Sequence, residues 1–258
     1  MARKIRLPIA VIYAFARTAD DFADEGEATA AQRLELLNQF ETQVLHLSTE
    51  SSNNPIFIAL KQVCADFKLH LPYLQQLMTA FKQDVEKTRY QNYVELMFYC
   101  QHSANPVGRL LLQLFQHHNE ETCHYSDALC TALQLINFLQ DLHQDFSEHG
   151  RIYIPLDEMR QFGVSPLHFD LQQSDESMLN LYRFQVRRAH QLLLKGVPLG
   201  KRLPGRAGFE IRLIIASALQ IIQLLWHQPQ VFSRPRLKSW MWLPILSRAL
   251  RGNHKLSL

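Results

Sequence analysis

Residues 130–146, CTALQLINFLQDLHQDF, hold the pattern that decides the fold. Their regularly spaced polar side chains are Gln134, Asn137, Asp141 and Asp145. Because successive residues of an α-helix turn by about 100°, these four would share one face within roughly 80°. Leucines occupy the opposite side, and Ile136 and Phe138 make the segment more apolar than a solvated helix usually is. The pattern predicts a core helix with a polar inner face.

The same helical period recurs along most of the 258-residue chain, of which 47% is hydrophobic. It predicts helices over approximately residues 5–25, 29–48, 55–68, 72–87, 91–116, 125–147, 175–195, 206–227 and 236–250. Pro155 and Pro166 predict irregular structure after Gly150, and residues 196–205 are expected to form a loop. Strand-like alternation is nearly absent. We therefore expect an all-α helical bundle with a central cavity, formed by a single domain over residues 1–258.

Charge and composition exclude several classes of protein. The formal net charge of +3 is too small to indicate a nucleic-acid partner, and the basic residues are dispersed except near the C-terminus. None of the four cysteines forms a CxxC pair, which favours reduced, buried thiols. The N-terminal apolar run is too short for a secretory signal, and no stretch of about 18 uncharged apolar residues predicts a membrane span. These features together predict a cytoplasmic protein.

A second acidic pattern lies near the N-terminus, in residues 13–25, YAFARTADDFADE. Its members that share a predicted helical face, within roughly 60°, are Tyr13, Arg17, Asp20 and Asp24. Two carboxylates one helical turn apart repel each other by roughly a few tenths of a kcal/mol. Their pairing becomes favourable when a cation lies between them.

Both acidic patterns have the chemistry of a magnesium site. Mg²⁺ prefers oxygen ligands and typically takes one or two carboxylates together with substrate phosphates. Two helices that each carry Asp-x-x-x-Asp could hold a diphosphate through bridging Mg²⁺ ions, which would neutralise the leaving group as the carbon–oxygen bond breaks. The alternative for either pattern alone is a solvated acidic face.

The middle segment, residues 99–108, combines a phenol with a helix-breaking residue. Pro106 removes one backbone donor and predicts a kinked helix with exposed carbonyls, and Gly108 permits close approach of another helix. Tyr99, Ser103 and Pro106 lie on one predicted side. A phenol ring and carbonyl dipoles that face an apolar cavity can stabilise a carbocation. The alternative is a proline kink packed in a core.

These segments, taken in order, resemble the squalene/phytoene synthase family. The residues that carry the resemblance are 13–25, 99–108, 137–145 and 150–155. Within the family, residues 83–90, 103–109 and 203–206 resemble the hydroxysqualene synthases of bacterial hopanoid biosynthesis (HpnC). The resemblance implies an enzyme that converts presqualene diphosphate and water to hydroxysqualene and diphosphate, with Mg²⁺ and without NADPH.

The resemblance also implies roles for single residues. It assigns magnesium binding to Asp20, Asp24, Asp141 and Asp145. It assigns the lining or support of the diphosphate site to Tyr13, Arg17, Gln134, Asn137, Arg151 and Tyr153. Tyr99 and Arg17 match catalytic positions. We add the hypothesis that Asn105 orients the attacking water, because it is polar where the family often has glycine.

The chain departs from the family's pattern in two places. Relatives usually carry a further segment before the position of Met1, which helps to close the site and which we expect this chain to lack. Gln140 stands where the family frequently has arginine. Two other functions stay open: a presqualene diphosphate or squalene synthase that joins two farnesyl diphosphates, and a non-catalytic assembly factor.

The C-terminal residues predict a contact with a membrane surface. Residues 240–246, WMWLPIL, are apolar and aromatic. The flanking cations are Arg234, Arg236, Lys238, Arg248, Arg251 and Lys255. This combination over residues 234–255 is typical of an interfacial helix on an anionic bilayer. The alternative is a C-terminal helix docked on the bundle with a solvated basic rim.

Overall fold

A computed structural model of the chain describes residues 3–252, and most of these residues are helical. Their helices are α1 (Arg3–Asp24), α2 (Ala30–Leu45), α3 (Pro55–Phe67), α4 (Pro72–Glu86), α5 (Tyr93–Ser103), α6 (Asn105–Leu114), α7 (Glu120–Gln140), α8 (Leu142–His149), α9 (Leu156–Gln161), α10 (Leu167–Asp170), α11 (Glu176–Gly196), α12 (Leu199–Arg202), α13 (Gly205–His227) and α14 (Trp242–Arg251). A 3-10 turn, Ser239–Met241, precedes α14. Within residues 3–252 the β-type pairing is one isolated parallel bridge between Arg89 and Ile152. The predicted all-α class is confirmed.

Local capping signals explain where several helices begin. Thr29 caps α2, because its backbone N–H donates to the Gln32 side chain at 2.9 Å while its own hydroxyl accepts from the Gln32 backbone. Asn54 caps α3, and Pro55 fills the first helical position, where no backbone donor is needed. Asp175 caps α11 through its side chain.

Two helices predicted as continuous are interrupted. The segment predicted over residues 91–116 divides at Ala104, where φ is −110° and ψ is −47°. Pro106 occupies the first turn of α6, so its missing N–H and the kink predicted for it coincide with this break. The segment predicted over residues 125–147 begins earlier, at Glu120, and divides at Asp141.

Three short helices occupy stretches that were predicted to be irregular or to be loops. Pro155 and Pro166 directly precede α9 and α10, because the fixed φ of proline suits a helix start as well as a helix stop. The predicted loop at residues 196–205 contains α12, which follows Pro198. The C-terminal helix, predicted from residue 236, begins only at Trp242 after the 3-10 turn.

The described residues belong to two compact units of the chain. The first comprises Met1–Lys87 with Tyr99–Cys123, and the second comprises Thr88–Phe98 with His124–Leu258. In the first unit, the core centres on three aromatic rings, with Phe15 stacked on Phe40 at 5.3 Å and Phe57 edge-on to Phe40 at 4.7 Å between ring centroids. In the second unit, α13 packs against α11, α12 and α14 around buried side chains such as Leu219 and Ile222.

The structure bears on two further predictions, those for the cysteines and for membrane spans. The four cysteines are free, as predicted, but only Cys100 is fully buried. By length and composition, α13 is long and apolar enough to cross a membrane, although it contains no run of 18 uncharged apolar residues, so the prediction of no membrane span stays a prediction. Less than half of its most apolar window is buried in the protein, and core helices pass the same test, so this is weak evidence for a span.

Candidate active site

The acidic end of α1 is organised around Arg17. Its guanidinium lies 2.8 Å from an Asp20 carboxylate oxygen and 2.7 Å from one of Asp21. Glu25 adds a third carboxylate at 3.4 Å. These anions, Asp21 first, raise the pKa of Arg17 above its ordinary value. Tyr13, one turn earlier, is 67% exposed, so this face of α1 is open to a ligand.

Arg33 of α2 closes the C-terminal end of α1, where backbone carbonyls have no helical partner. Its guanidinium donates to the carbonyls of Glu25 at 3.0 Å and Gly26 at 2.8 Å. It also reaches the carbonyls of Phe22 at 3.4 Å and Ala28 at 3.0 Å. A cation at a helix C-terminus is electrostatically favourable. Arg33 therefore fixes the turn that carries Asp24, and no local spacing in the sequence indicated it.

Tyr99 has a defined polar partner. Its hydroxyl donates to an Asp84 carboxylate oxygen of α4 at 2.9 Å, and the side chain is almost completely buried. This bond fixes the position of the phenol ring. Sequence reasoning predicted the ring's position on the middle helix but not Asp84 as its partner.

Asn105 and Ser103 flank the interruption of the middle helix at Ala104. Asn105 is the first residue of α6 and is buried at 7% exposure. The hydroxyl oxygen of Ser103 is also buried. Two polar side chains therefore lie in the protein interior at the bend, which is where the sequence predicted exposed helix carbonyls.

Asp141 lies at the junction of α7 and α8 rather than within one helix. Its φ of −107° and ψ of 15° interrupt the helix, yet the i to i−4 pattern of backbone bonds continues across it. The Asp141 N–H donates to the Asn137 carbonyl at 2.9 Å, and the Asp145 N–H donates to the Asp141 carbonyl at 2.8 Å. Asn137 is exposed and Gln134 is half-buried. The bend therefore leaves intact the backbone hydrogen bonds that connect Asn137, Asp141 and Asp145.

Arg234 forms an ion pair with Asp141. The Arg234 Nε lies 2.6 Å from Asp141 Oδ1, and the Asp141 side chain is 21% exposed. Burial raises the pKa of Asp141 above its ordinary value, and the Arg234 charge offsets part of that rise. The sequence predicted Arg234 to take part in a membrane contact. It gave no sign that this arginine lies beside a predicted metal ligand.

Gln140 holds the Arg234 segment close to the helix junction. Its amide nitrogen donates to the Pro235 carbonyl at 3.0 Å. Arg234 also approaches the Gln144 side-chain oxygen at 3.5 Å. The residue that departs from the family's arginine therefore has a definite role here, because it binds the neighbouring backbone.

Arg151 and its flanks are positioned by backbone bonds. Gly150 adopts a left-handed φ of 63°, which ends α8 and lets the Arg151 N–H donate to the Asp145 carbonyl at 2.9 Å. The Ile152 N–H donates to the Thr88 carbonyl at 3.0 Å. Arg151 is buried at 8% exposure, which is rare for a charged residue.

Tyr153 lies in a stack of aromatic rings. Its ring is parallel to Phe138 at 3.7 Å and to Tyr90 at 5.6 Å between centroids. The stack borders a small, mainly apolar pocket lined also by Leu96, Leu135, Leu139, Ile154 and Gln185. Tyr153 therefore has a packing role in this stack, and its predicted place in the diphosphate site stays a prediction.

The donor atoms of both acidic segments suit Mg²⁺. Each segment offers carboxylate oxygens one helical turn apart, and α7 adds the amides of Gln134 and Asn137. The Asp141 carboxylate already has a cation, Arg234, within 2.6 Å. Among residues 3–252 no group of three or more His, Cys, Asp or Glu side chains can hold a metal by itself. The oxygen donors of each segment therefore fit the ligand chemistry of Mg²⁺.

Comparison with known proteins identifies the family. The family model for squalene/phytoene synthase matches residues 1–242. The chain belongs to the squalene/phytoene synthase family. Its acidic segments, its middle helix and the arginines described above all lie within the matched residues.

The chain is also similar to individual members of the squalene/phytoene synthase family. The chain is 34% identical to the hydroxysqualene synthase of Rhodopseudomonas palustris over 89% of its own length and 78% of the relative. It is 32% identical to that of Sinorhizobium fredii over 85% and 74%. The crystal structure of squalene synthase HpnC from Alicyclobacillus acidocaldarius superposes with a TM-score of 0.81 and 30% identity, and it covers 87% of this chain and 84% of the other. The chain is an isoprenoid synthase enzyme of the hydroxysqualene synthase type.

Proposed function

We propose that the chain converts presqualene diphosphate and water to hydroxysqualene and diphosphate. The observation that carries the proposal is the pairing of oxygen-rich acidic segments with arginines in a chain 34% identical to a hydroxysqualene synthase. In this reaction the carbon–oxygen bond breaks and both electrons leave with the diphosphate. The cyclopropylcarbinyl cation rearranges, water adds to it, and one proton is released.

Asp20, Asp24, Asp141 and Asp145 would hold Mg²⁺ in this reaction. The bound metal would supply positive charge that stabilises the diphosphate as a leaving group. The proposal requires the two acidic segments to serve one substrate. The carboxylate oxygens of both segments are the donors that Mg²⁺ prefers, which supports this assignment.

Arginines would bind the diphosphate oxygens. Arg17 is half-exposed beside Asp20, so its guanidinium can turn from the carboxylates to an incoming anion. Arg151 is buried and would contribute charge in a low-dielectric setting, where electrostatic interactions are stronger. Tyr13, Gln134 and Asn137 would add neutral hydrogen bonds to the same group.

Tyr99 would act on the carbocation through its ring. Because its hydroxyl is already bonded to Asp84, the ring is held in place and its π-face is the available group. On this account Tyr99→Phe keeps most of the turnover, whereas Tyr99→Leu loses it. Equal losses in the two variants would assign the role to the hydroxyl instead.

Asn105, buried at the adjacent bend, would orient the attacking water.

A second function is favoured by one specific observation. The solved relative with a TM-score of 0.81 is described as a squalene synthase, which leaves open the joining of two farnesyl diphosphates. Incubation of the pure chain with each diphosphate as sole substrate, followed by product analysis, tests both. Hydroxysqualene from presqualene diphosphate, dependent on Mg²⁺ and independent of NADPH, supports the proposal. Failure to consume presqualene diphosphate contradicts it.

The hydrocarbon reactant and product also suggest where the enzyme works. Both are long apolar chains that partition into a bilayer, so we propose a cytoplasmic enzyme that contacts the inner face of the membrane through the C-terminal residues 234–255. Of these, residues 253–255, which include Lys255, lie outside the described residues. The α14 helix and the turn before it are the part of this segment with a surface suited to a bilayer.

A further inference from the structure

Five large apolar side chains near the C-terminus are exposed to solvent, and we name them the C-terminal apolar strip. They are Trp240 (67% exposed), Trp242 (49%), Leu243 (79%), Leu246 (44%) and Leu250 (66%). Single exposed apolar residues are ordinary on a protein surface, but a contiguous group of large ones marks an interaction site. The strip therefore needs an occupant.

The helix geometry shows why part of α14 is left uncovered. At about 100° per residue, its apolar side chains span an arc of roughly 160°, from Ile245 round to Leu243. The protein core covers only the Ile245 and Ala249 side of that arc, which packs against Ala216 of α13. The wider part of the arc faces away from the core. A helix that needed only to close the bundle would have polar residues there.

The orientation of α14 is fixed by hydrogen bonds from Arg212 of α13. Its guanidinium donates to the Ala249 carbonyl at 3.0 Å and to the Gly200 carbonyl at 2.7 Å. A Cβ at Gly200 would lie 2.7 Å from the Arg212 side chain, so glycine is required for this approach. The strip is consequently a surface held in one orientation.

Cations flank the strip, and the segment that carries it has no acidic residue of its own. Arg236, Lys238 and Arg251 are exposed, and the sequence has no Asp or Glu after Glu210. Arg234 is paired with Asp141, and Arg248 points roughly 180° from the centre of the strip, so neither is counted; Arg236 also acts on Asp141 through its charge, but more weakly than Arg234. Exposed tryptophans and leucines bordered by cations match the chemistry of an anionic bilayer surface.

We propose that the C-terminal apolar strip docks this enzyme on an anionic lipid bilayer. This inference rests on the proposed function only in that a hydrocarbon substrate explains why a bilayer is the partner. A second copy of the chain fits the strip less well. A symmetric pairing of two strips would bring the three exposed cations of each copy together with no acidic partner, since no carboxylate occurs in this segment.

The test is flotation of the full chain with vesicles of equimolar phosphatidylcholine and phosphatidylglycerol, compared with phosphatidylcholine alone. The wild-type chain should float with the anionic vesicles and bind the neutral ones at least about fivefold more weakly. Leu243→Gln with Leu250→Gln should reduce binding to anionic vesicles by about tenfold or more. Lys238→Gln with Arg251→Gln should reduce it by roughly tenfold, and this effect should vanish at high salt.

Matched controls separate the strip from general surface effects. Leu167→Gln with Leu171→Gln removes two leucines that are 57% and 64% exposed elsewhere in the same unit, and it should leave vesicle binding unchanged. Arg248→Gln removes a cation from the far side of α14 and should also have little effect. Binding that survives the strip variant, or falls equally in the controls, overturns the proposal.

The remaining outcomes keep the two proposals distinct. Turnover of presqualene diphosphate dispersed in detergent does not require a bilayer, so its loss would contradict the proposed function alone. Normal turnover without vesicle binding would overturn docking alone. Sedimentation analysis identifies the other occupant: a wild-type dimer that the strip variant converts to monomer, without vesicle binding, would assign the strip to self-association.

Discussion

The Nε of Arg234 lies 2.6 Å from Oδ1 of Asp141, so a predicted metal ligand is paired with an arginine. The pair is partly exposed, with the Arg234 side chain at 47% and that of Asp141 at 21%. Such pairs contribute about 1 kcal/mol or less to stability. If Mg²⁺ binds Asp141, it must compete with this guanidinium.

We predict that Arg234→Gln increases the stabilisation that Mg²⁺ with inorganic diphosphate gives the chain. The variant removes the nearest cation of the half-buried Asp141 carboxylate and leaves only the weaker effect of Arg236, so the melting temperature of the variant should fall by about 2 °C, and the metal should restore it. Differential scanning fluorimetry with and without Mg²⁺ and diphosphate measures both shifts. Arg248→Gln is the control, because Arg248 has no contact with Asp141. Equal metal-dependent shifts in the two variants would mean that Asp141 does not take the metal.

Arg33 is predicted to position the acidic end of α1. Arg33→Gln removes its hydrogen bonds to the carbonyls that follow Asp20 and Asp24, so the Mg²⁺ concentration for half-maximal activity should rise by roughly tenfold. Arg33→Lys keeps the positive charge but not the several fixed donors of the guanidinium. Its Mg²⁺ concentration for half-maximal activity should therefore be intermediate. Arg206→Gln, which breaks an exposed ion pair with Glu210, is the matched control. A fall in kcat without any change in the Mg²⁺ requirement would assign Arg33 to stability alone.

Asn105 is predicted to direct water to the cation. Asn105→Gly should still consume presqualene diphosphate, but other products of the same cation should replace part of the hydroxysqualene. Asn105→Ser, which keeps a hydroxyl, should retain more of the wild-type product. Gas chromatography with mass spectrometry of the extracts measures the distribution. An Asn105→Gly enzyme that forms hydroxysqualene alone would refute the hypothesis.

His190 gives a prediction for stability against pH. It is buried in α11, and burial lowers the pKa of its imidazole below the ordinary value of 6.5. The unfolded chain therefore binds this proton more readily than the folded one. Stability contributed by the neutral ring is complete above about pH 6.5 and is lost as the pH falls from there towards the lower pKa of the folded state. His190→Leu should flatten this part of the urea-unfolding profile; identical pH slopes would contradict the prediction.

The helices that sequence predicts well are those with strong amphipathic periodicity and local caps. The predicted bounds of α1, α2, α3, α4, α11 and α13 agree with the structure within a few residues. The kink predicted from Pro106 coincides with the break at Ala104, whereas the break at Asp141 was missed because the hydrophobic period continues through that position. The short helices α9 and α10 were missed because a proline that starts a helix gives the same signal as one that ends it.

In the candidate site, too, relationships within one helix were predicted, whereas contacts between distant segments were not. Spacing along one helix placed Arg17 beside Asp20, and it placed Asp141 and Asp145 one turn apart. Partners distant in sequence had no such signal. Arg234 reaches Asp141 from a segment far along the chain, and Asp84 reaches Tyr99 from another helix. Tertiary packing creates both contacts, so a single sequence cannot indicate them.

The most direct test of the central claim is anomalous diffraction from crystals of the full chain with Mn²⁺ and inorganic diphosphate. The account predicts one metal cluster bridged by the diphosphate, with manganese within about 2.5 Å of a carboxylate from the Asp20–Asp24 pair and of one from the Asp141–Asp145 pair. Manganese bound by one pair alone, or a diphosphate held away from both, would contradict it.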